Sequence, residues 1–258
     1  MKINRLSEIQ KYIREVENVS LDTLCDVFKV SKNTIRRDVT ELQKKGLITK
    51  VYGGITINQK NPNELFESRE PFESREGKNQ AEKIAIAKLA SELVEDGDVI
   101  FIDSGTTTKH MIPFLALKEN ITIITSNLHV ILASIPYPKL NIISTGGVLY
   151  RETISLTGIG VISFLKDYNI SKSFLASTGV SLAKGVTNIS PLESEIKRYL
   201  VENSITTSLL VDHSKIDIAS LMTYCRLEDL KFFITDKLPP KEYIDFFAAN
   251  DITLLTPQ

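Results

Sequence analysis

Small hydroxyl residues follow an apolar run in the stretch VIFIDSGTTTKH, residues 99–110. Three hydroxyl side chains and one glycine come directly after Asp103, at Ser104, Gly105, Thr106 and Thr107. The glycine permits a sharp turn, and the amides of residues 106–108 would open the next helix, where unpaired N–H groups and the helix dipole favour an anion. The stretch therefore predicts a phosphate site, which serves either catalysis or the recognition of a ligand that is not transformed.

A cation for this phosphate is found in the stretch DHSKI, where Lys215 follows another apolar run. A phosphate would repel Asp103, so we assign this carboxylate to sugar hydroxyls or to holding the loop. The loop lacks the GxxxxGK[ST] pattern of nucleoside triphosphatases and the GxGxxG pattern of dinucleotide sites. These absences argue against both of those protein classes.

Apolar runs alternate with helix-length segments beyond Gln80. The runs are VIFID (99–103), ITIIT (121–125), LNIIST (140–145), KSFLAST (172–178), TSLLVD (207–212), KFFITD (231–236) and ITLLT (252–256). This alternation predicts a doubly wound, mostly parallel α/β sheet with helices on both faces. Ligands of such sheets bind beyond the carboxyl ends of the strands. Polar and small residues follow six of the runs, so we predict that they form one site.

An isomerase would need a carboxylate base beside the carbonyl carbon of its substrate. The candidates are Glu193, Glu195, Asp103 and Asp212, and spacing singles out none of them. We interpret Glu195, Lys197 and Arg198 as the solvated face of a helix begun by Ser190, or as a contact between subunits.

Histidine and cysteine positions give no catalytic or metal pattern. The three histidines are scattered, and Cys25 and Cys225 lie far apart without a CxxC pair. We therefore predict no catalytic residue, no metal and no cofactor.

The first 57 residues show the periodicity of a helix-turn-helix, over about residues 20–39. One amphipathic helix carries a buried stripe at Ile3, Leu6, Ile9, Ile13 and Val16. Ser20 and Ser31 are N-caps for two further helices. In the last of these, Ile35, Val39 and Leu42 face inward, so the opposite face holds Asn33, Arg36, Arg37, Thr40 and Lys44. These side chains can bond phosphates and base edges. The stretch LITKVYGGITI then predicts a hairpin, the wing of a winged helix.

The distribution of charge along the chain agrees with a nucleic-acid-binding N-terminal segment. Residues 1–60 hold 12 Lys and Arg against 7 Asp and Glu, whereas residues 61–258 hold 19 against 25. This difference suggests that only the basic N-terminal segment binds a polyanion, and that the acidic remainder does not.

No apolar run approaches the roughly 18–20 residues of a membrane span, and the N-terminus does not resemble a signal peptide. We expect a soluble cytoplasmic protein without a membrane partner.

The stretch VSKNTIRRDVTELQKKGLITKVYGG resembles the N-terminal signature of the DeoR family of bacterial transcriptional regulators. The motifs DSGTT, Gly146-Gly147, STGV, ESEIKR and DHSK are similar to those of the family's effector domain, so the likeness covers nearly the whole chain. The resemblance implies a sensor fold like that of ribose-5-phosphate isomerase, with phosphorylated sugars as ligands. It places operator contacts at Ser31, Lys32, Asn33, Thr34, Arg36, Arg37, Thr40, Lys44, Tyr52 and Gly53. It places effector contacts at Asp103, Ser104, Gly105, Thr106, Thr107, Asn127, Gly146, Gly179 and Lys215. The family commonly has Thr-Asn after the second strand, whereas this chain reads Thr125-Ser126-Asn127, which leaves the role of Asn127 open.

These observations predict three segments. Residues 1–57 form the winged helix-turn-helix, residues 58–78 form a charged linker with the repeat FESRE at 66–70 and 72–76, and residues 79–258 form the sensor. The expected function is a repressor of a sugar operon that binds double-stranded operator DNA as a dimer or tetramer and is relieved by a phosphorylated sugar. The alternative is a sugar-phosphate isomerase with an attached DNA-binding domain. Activation, or a co-repressor ligand, also stays open.

Overall fold

The computed structural model describes residues 5–6, 8–9, 12–13, 16, 18–44, 48–51, 54–57 and 72–257. The chain divides into two compact units, residues 1–67 and residues 68–258. Each unit is described by itself below.

The first unit is the helix-turn-helix with its wing. Its described residues between 5 and 16 are helical and are called α1. They are followed by β1 (Asn18–Val19), α2 (Leu21–Phe28), α3 (Lys32–Lys44), β2 (Ile48–Val51) and β3 (Gly54–Ile57). The strands form an antiparallel sheet in the order β1-β3-β2. The hydroxyl of Ser20 accepts from the Thr23 amide at 3.0 Å, which confirms the predicted cap of α2.

The core of this unit is the predicted set of apolar positions, with one exception. Buried residues include Leu6, Ile9, Ile13, Leu24, Ile35, Val39 and Leu42. Val16 is 41% exposed, so the buried stripe of α1 does not extend to it as predicted. Ile3 lies outside the described residues.

A seven-stranded parallel sheet forms the centre of the second unit. Its order is β15-β14-β12-β9-β4-β5-β6. The strands are β4 (Val99–Ile102), β5 (Thr122–Thr125), β6 (Asn141–Ser144), β9 (Lys172–Leu175), β12 (Thr206–Leu210), β14 (Phe232–Ile234) and β15 (Thr253–Leu255). Six of them lie within the apolar runs, and β12 begins one residue before its run, at Thr206. All neighbouring pairs are parallel. The predicted doubly wound fold is confirmed.

Helices cover both faces of this sheet, because alternate side chains of each strand enter different cores. Phe101 belongs to a core with residues of α8 (Ile159–Leu165), α9 (Pro191–Asn203) and α10 (Lys241–Ala249). Ile100 and Ile102 belong to a second core with α5 (Gln80–Glu92), α6 (Ile112–Leu115) and α7 (Leu128–Ser134). This alternation is the expected pattern of a sheet buried on both sides.

Two small antiparallel sheets were not predicted from the sequence. One pairs β7 (Val148–Tyr150) with β8 (Ser155–Thr157). The other has the order β10 (Gly179–Ser181), β11 (Gly185–Asn188) and β13 (Met222–Cys225). Strands this short carry little periodic signal. Among the helices of the described residues, none is long and apolar enough to cross a bilayer.

The segment predicted as a linker is folded in its last part. Residues 58–71 lie outside the described residues, but Phe72–Glu76 forms a helix, α4, and Phe72 is only 1% exposed. Its charged composition suggested a solvated segment, but the burial of one aromatic ring attaches it to the second unit. The exact limits of the three segments remain a prediction.

Candidate functional site

The carboxyl ends of β4, β5 and β9 meet around Asp103. Its backbone carbonyl accepts from Asn127 Nδ2 at 3.3 Å, which joins the ends of β4 and β5. Its carboxylate accepts from the Ala176 amide at 2.9 Å, which joins β4 to the end of β9. The structure thus brings together three of the predicted strand ends and uses Asp103 to hold them, in agreement with one of its two predicted roles.

The loop after β4 is fixed by one threonine. Thr108 Oγ1 accepts from the Gly105 amide at 3.1 Å and lies 2.7 Å from the Asp103 carbonyl, to which it donates. The chain continues as a 3₁₀ turn over Thr108–Met111 and then as the four-residue α6. The predicted helix N-terminus is therefore a short turn, because Thr108 closes the loop onto itself.

Thr106 and Thr107 keep unused donors in this loop. Within the described residues, neither their amides nor their hydroxyls donate a hydrogen bond. Both residues are largely buried. At the end of β9, the hydroxyl of Ser177 is also buried without a partner. Buried polar groups normally find partners, so the Ser177 hydroxyl marks a place where a polar ligand would supply one. The free donors of Thr106 and Thr107 follow the neighbouring strand β4, at the same edge of the sheet.

Gly105 is needed for close packing and not for the sharp turn that we predicted. Its φ lies outside the left-handed region, but a Cβ at this position would lie 2.4 Å from Ala176 Cβ. Gly179 is similar, because its Cβ would lie 2.4 Å from the Ile218 carbonyl oxygen, and it lies within β10. Gly146 has a φ of 66° and is exposed. All three stay predictions as ligand contacts.

A buried ion pair joins helix α9 to the loop. Lys197 Nζ lies 2.5 Å from Asp103 Oδ2 and donates also to the Ala176 carbonyl at 2.6 Å. Both side chains of the pair are buried. The prediction that Lys197 lies on a solvated face is wrong, because α9 turns this position inward with Glu193, Ser194, Ile196 and Leu200. Glu195 is exposed, as predicted.

Glu193 lies at the centre of a second buried network. Its Oε1 accepts from Ser104 at 3.0 Å, Thr153 at 2.7 Å and Ser155 at 3.2 Å, and its Oε2 accepts from Asn188 at 3.1 Å. Burial opposes ionisation, yet Lys197 and these donors hold the pKa of Glu193 below its ordinary value. A general base needs a pKa nearer to neutral, so this carboxylate is poorly suited to abstract a proton.

Glu193 should make the stability of the second unit depend on pH. Its folded-state pKa is lowered, so its contribution is present above the unfolded pKa of about 4.3 and is lost as pH falls through the folded value. We expect the unfolding free energy to fall less steeply below about pH 5 in Glu193→Gln than in wild type. Urea unfolding at a series of pH values measures both slopes. Exposed Glu195→Gln, on the same helix, is the control, and equal slopes in all three proteins would contradict the assignment.

Asn127 and Lys215 follow different strands of the parallel sheet, β5 and β12, at its carboxyl edge. Asn127 is fully buried, and its Oδ1 caps α7 by accepting from the His129 amide at 2.8 Å, so its amide group is engaged at both ends. Lys215 lies in a 3₁₀ turn over His213–Lys215, which Asp212 caps at the end of β12. The ligand contacts predicted for both residues remain predictions.

The candidate DNA-reading face lies on α3. Ile35 and Val39 are fully buried, while Asn33, Arg36, Arg37 and Thr40 are exposed on the other side. Asp38 is buried and bonded to Arg5 Nε at 2.7 Å, which fixes α3 against α1.

Three of the remaining predicted DNA contacts have partners within the unit. Lys32 pairs with Asp22 at 2.5 Å, and the Ser31 hydroxyl accepts from the Thr34 amide at 3.4 Å. Tyr52, Gly53 and the side chain of Lys44 lie outside the described residues.

Among the residues that are described, no cluster of His, Cys, Asp and Glu could hold a metal ion.

Comparison with known families matches both units. A DeoR-like helix-turn-helix domain matches residues 5–61, and a DeoR C-terminal sensor domain matches residues 78–237. The transcriptional regulator IolR of Bacillus subtilis is 42% identical over 252 residues, 98% of each chain. The lactose phosphotransferase system repressor of Staphylococcus aureus is 32% identical and covers 91% of this chain and 92% of its own. The repressor GlcR of Bacillus subtilis is 28% identical and covers 98% and 96%.

Among solved structures, a ribose-5-phosphate isomerase in complex with phospho-erythronic acid matches with a TM-score of 0.40 and 18% identity. The match covers 53% of this chain and 54% of that chain.

Proposed function

We propose that this chain, which belongs to the DeoR family of transcriptional regulators, represses a sugar uptake or catabolism operon and is released from its operator by a phosphorylated sugar. Relatives named as repressors support the direction of control, and one of them is named for a lactose phosphotransferase system. In this proposal the helix-turn-helix binds the operator, and the sensor unit binds the sugar whose presence causes release.

The unused donors of Thr106 and Thr107 carry the proposal for the ligand. They lie at the carboxyl edge of the parallel sheet, where ligands of this architecture bind. Neighbouring polar groups are occupied, because Asp103, Ser104 and Thr108 bond to the protein. Neutral amide and hydroxyl donors suit an anion with oxygen acceptors, which is the chemistry of a phosphate ester.

A sensor fits the same groups better than an isomerase does. The base that an isomerase requires would be Glu193 or Asp103, but the first accepts four hydrogen bonds and has a lowered pKa. The second is paired with Lys197. A regulator also benefits from a ligand that is bound without being consumed, since the signal then persists.

Control of DNA binding follows from linkage. If the effector and the operator favour different arrangements of the protein, each weakens the other by the same coupling free energy, typically about 1–3 kcal/mol. A single recognition helix makes few base contacts, so we propose a homo-oligomer, at least a dimer, on repeated or palindromic half-sites.

Thr106→Val should raise the sugar-phosphate concentration needed for operator release by about tenfold or more, because one hydrogen-bond donor to a charged ligand is lost at constant volume. Lys215→Ala should have a similar effect. Operator affinity without ligand should stay at the wild-type value in both variants. Fluorescence anisotropy of an operator selected from random DNA, titrated with a panel of sugar phosphates, measures both quantities.

Thr253→Val, an exposed position on β15, is the matched control for Thr106→Val. Release at wild-type ligand concentrations in Thr106→Val would place the ligand elsewhere. The ligand recovered after incubation should be unchanged by nuclear magnetic resonance. Conversion to its isomer at enzymatic rates would refute the sensor function.

A further inference from the structure

Strand β6 is an open edge of the parallel sheet. Among the described strands it pairs with β5 alone, so one side of its backbone has no neighbouring strand. The amides of Asn141 and Thr145 donate to carbonyls at the two ends of β5, at 3.0 and 3.1 Å. Backbone groups alternate in direction along an extended strand, so the N–H and C=O groups of Ile142 and Ser144 point away from the sheet. These four groups are available to another strand.

The residues of β6 do not discourage such pairing. Its sequence, Asn141–Ser144, contains no charged residue and no proline, which are the usual devices that block a sheet edge. The strand at the opposite edge, β15, is one residue shorter and is soon followed by Pro257, which has no N–H group. Of the two edges of this sheet, β6 is therefore better suited to accept a further strand.

Exposed apolar side chains flank β6 at both ends. Ile135 follows α7 shortly before β6 and is 71% exposed, and Val148 opens β7 shortly after β6 and is 72% exposed. Leu132 on α7 and Ile159 on α8 are exposed as well. Single exposed apolar residues are common, but a group of them around an open edge is typical of a surface that meets another protein.

We propose that β6 pairs with β6 of a second copy of this chain, antiparallel and about a two-fold axis at Ile143, so that the two parallel sheets become continuous. A second copy is the partner because the edge is complementary to itself. Ile142 of one copy lies opposite Ser144 of the other, and each such pair exchanges two backbone hydrogen bonds. A shift of the register by two residues in either direction would place one of them opposite a residue outside β6.

The same register brings apolar side chains together. Ile143 packs against the core shared by α8, α9 and α10, and on the axis it meets its own counterpart. Antiparallel pairing sets the end of one β6 beside the start of the other, so Val148 of each copy approaches the region of Ile135 in its partner. A stable dimer buries roughly 800 Å² per partner, more than the edge of a four-residue strand provides, so these exposed side chains are covered together with the edge.

This inference rests on the proposed function for the need of at least a dimer, and it specifies the surface that forms it. Dimerisation through β6 requires neither the effector nor the operator. The two-fold axis also relates the two recognition helices, which is the symmetry that palindromic half-sites require.

Ile143→Cys in the full-length protein tests the position of the axis. The two Cα atoms would lie about 4.5 Å apart there, which is within the range of a disulfide. Mild oxidation in a Cys25→Ser background, in which Cys225 is buried, should therefore convert most of the protein to a dimer on a non-reducing gel. Ile142→Cys is the matched control, because its counterpart lies diagonally across the pair, about 7–8 Å away, and should cross-link weakly.

Proline substitution tests the hydrogen bonds of the edge. Ile142→Pro removes an amide donor that points out of the sheet, a position at which edge strands tolerate proline. It should raise the dissociation constant of the dimer by at least about tenfold, because the symmetry removes the bond twice. Leu254→Pro on β15 is the matched control and should associate as wild type does. Leu254 is also half-buried, and its amide points outward, since the Thr253 amide donates to the Lys231 carbonyl.

Sedimentation equilibrium of the full-length wild type and both proline variants, without DNA or sugar, measures the association. Circular dichroism checks that each variant is folded. Where Ile142→Pro does not fold, the two cysteine variants decide the outcome by themselves.

Other results separate this inference from the proposed function. A wild type that stays monomeric at every concentration, equal cross-linking of Ile143→Cys and Ile142→Cys, or equal association of Ile142→Pro and Leu254→Pro would each overturn the β6 dimer. An Ile142→Pro protein that stays associated and is released from the operator normally by a sugar phosphate would overturn it while leaving the proposed function intact. Cross-linking and dissociation as predicted support the β6 dimer, even where no sugar phosphate releases the operator and the proposed function fails.

Discussion

Loss of the Lys197 ammonium in Lys197→Met is expected to lower the unfolding free energy of the second unit by about 3–5 kcal/mol, because it leaves the buried Asp103 carboxylate without its countercharge. The remaining donors to that carboxylate are the Ala176 amide at 2.9 Å and the Ser104 hydroxyl at 3.3 Å. Urea unfolding of the full-length protein, followed by circular dichroism, measures the transition of this unit. Lys166→Met, an exposed position on the same unit, should change stability by less than about 0.5 kcal/mol.

A second variant distinguishes the charge from the packing. Asp103→Asn combined with Lys197→Met removes both charges while keeping an acceptor for the Ala176 amide. Much of the lost stability should return in this double variant, since a neutral pair of similar volume avoids the isolated buried charge. A loss below about 1 kcal/mol in the single variant would mean that water reaches Asp103 and that the pair does not hold the strand ends together.

The buried Lys197–Asp103 ion pair could not be predicted from the sequence. The inward face of α9 carries Glu193, Ser194 and Lys197 among its apolar residues. A periodicity argument assigns such side chains to the solvent, because charged residues are rarely buried unless they are paired. The partner Asp103 is 94 positions away in the chain. Only the folded sheet brings the two together, so no local pattern could have indicated it.

Helix α4 (Phe72–Glu76) was also not predictable from the local sequence. The repeat FESRE occurs twice, and its composition is the same both times. Phe72 of the second copy is buried because His129 presents a flat ring to it. Composition alone predicted a linker, since the stabilising contact comes from a different element.

The parallel sheet and the ligand edge were predictable for physical reasons. Strands buried on both faces read as continuous apolar runs, and the chain length between them is that of a crossover helix. The polar residues after each run then lie at one edge, because the strands are parallel. Asp103 and Asn127 are examples, since they meet at the ends of β4 and β5. The sequence does not show that Thr106 and Thr107 keep free hydrogen-bond donors. Thr108 has an identical side chain, but its hydroxyl is bonded within the loop, to the Gly105 amide and the Asp103 carbonyl.

Arg36→Ala and Arg37→Ala should each weaken operator binding by about 1–3 kcal/mol, which is about five- to 150-fold in dissociation constant. Both arginines are exposed on α3, opposite the buried Ile35 and Val39. An arginine that reads a base is expected to relax specificity at one position of the operator. An arginine that contacts a phosphate instead lowers the slope of log affinity against log salt by about 0.9 and leaves specificity unchanged.

Anisotropy titrations of operator and single-base operator variants, at two salt concentrations, separate these two roles for each arginine. Lys88→Ala, in the second unit, removes an equal charge from an exposed helix and should leave operator affinity unchanged. The folded state of each variant is checked by circular dichroism, and the inward Asp38–Arg5 contact should be preserved because neither substitution touches it. Wild-type affinity and salt dependence in both arginine variants would mean that α3 does not read the operator through this face.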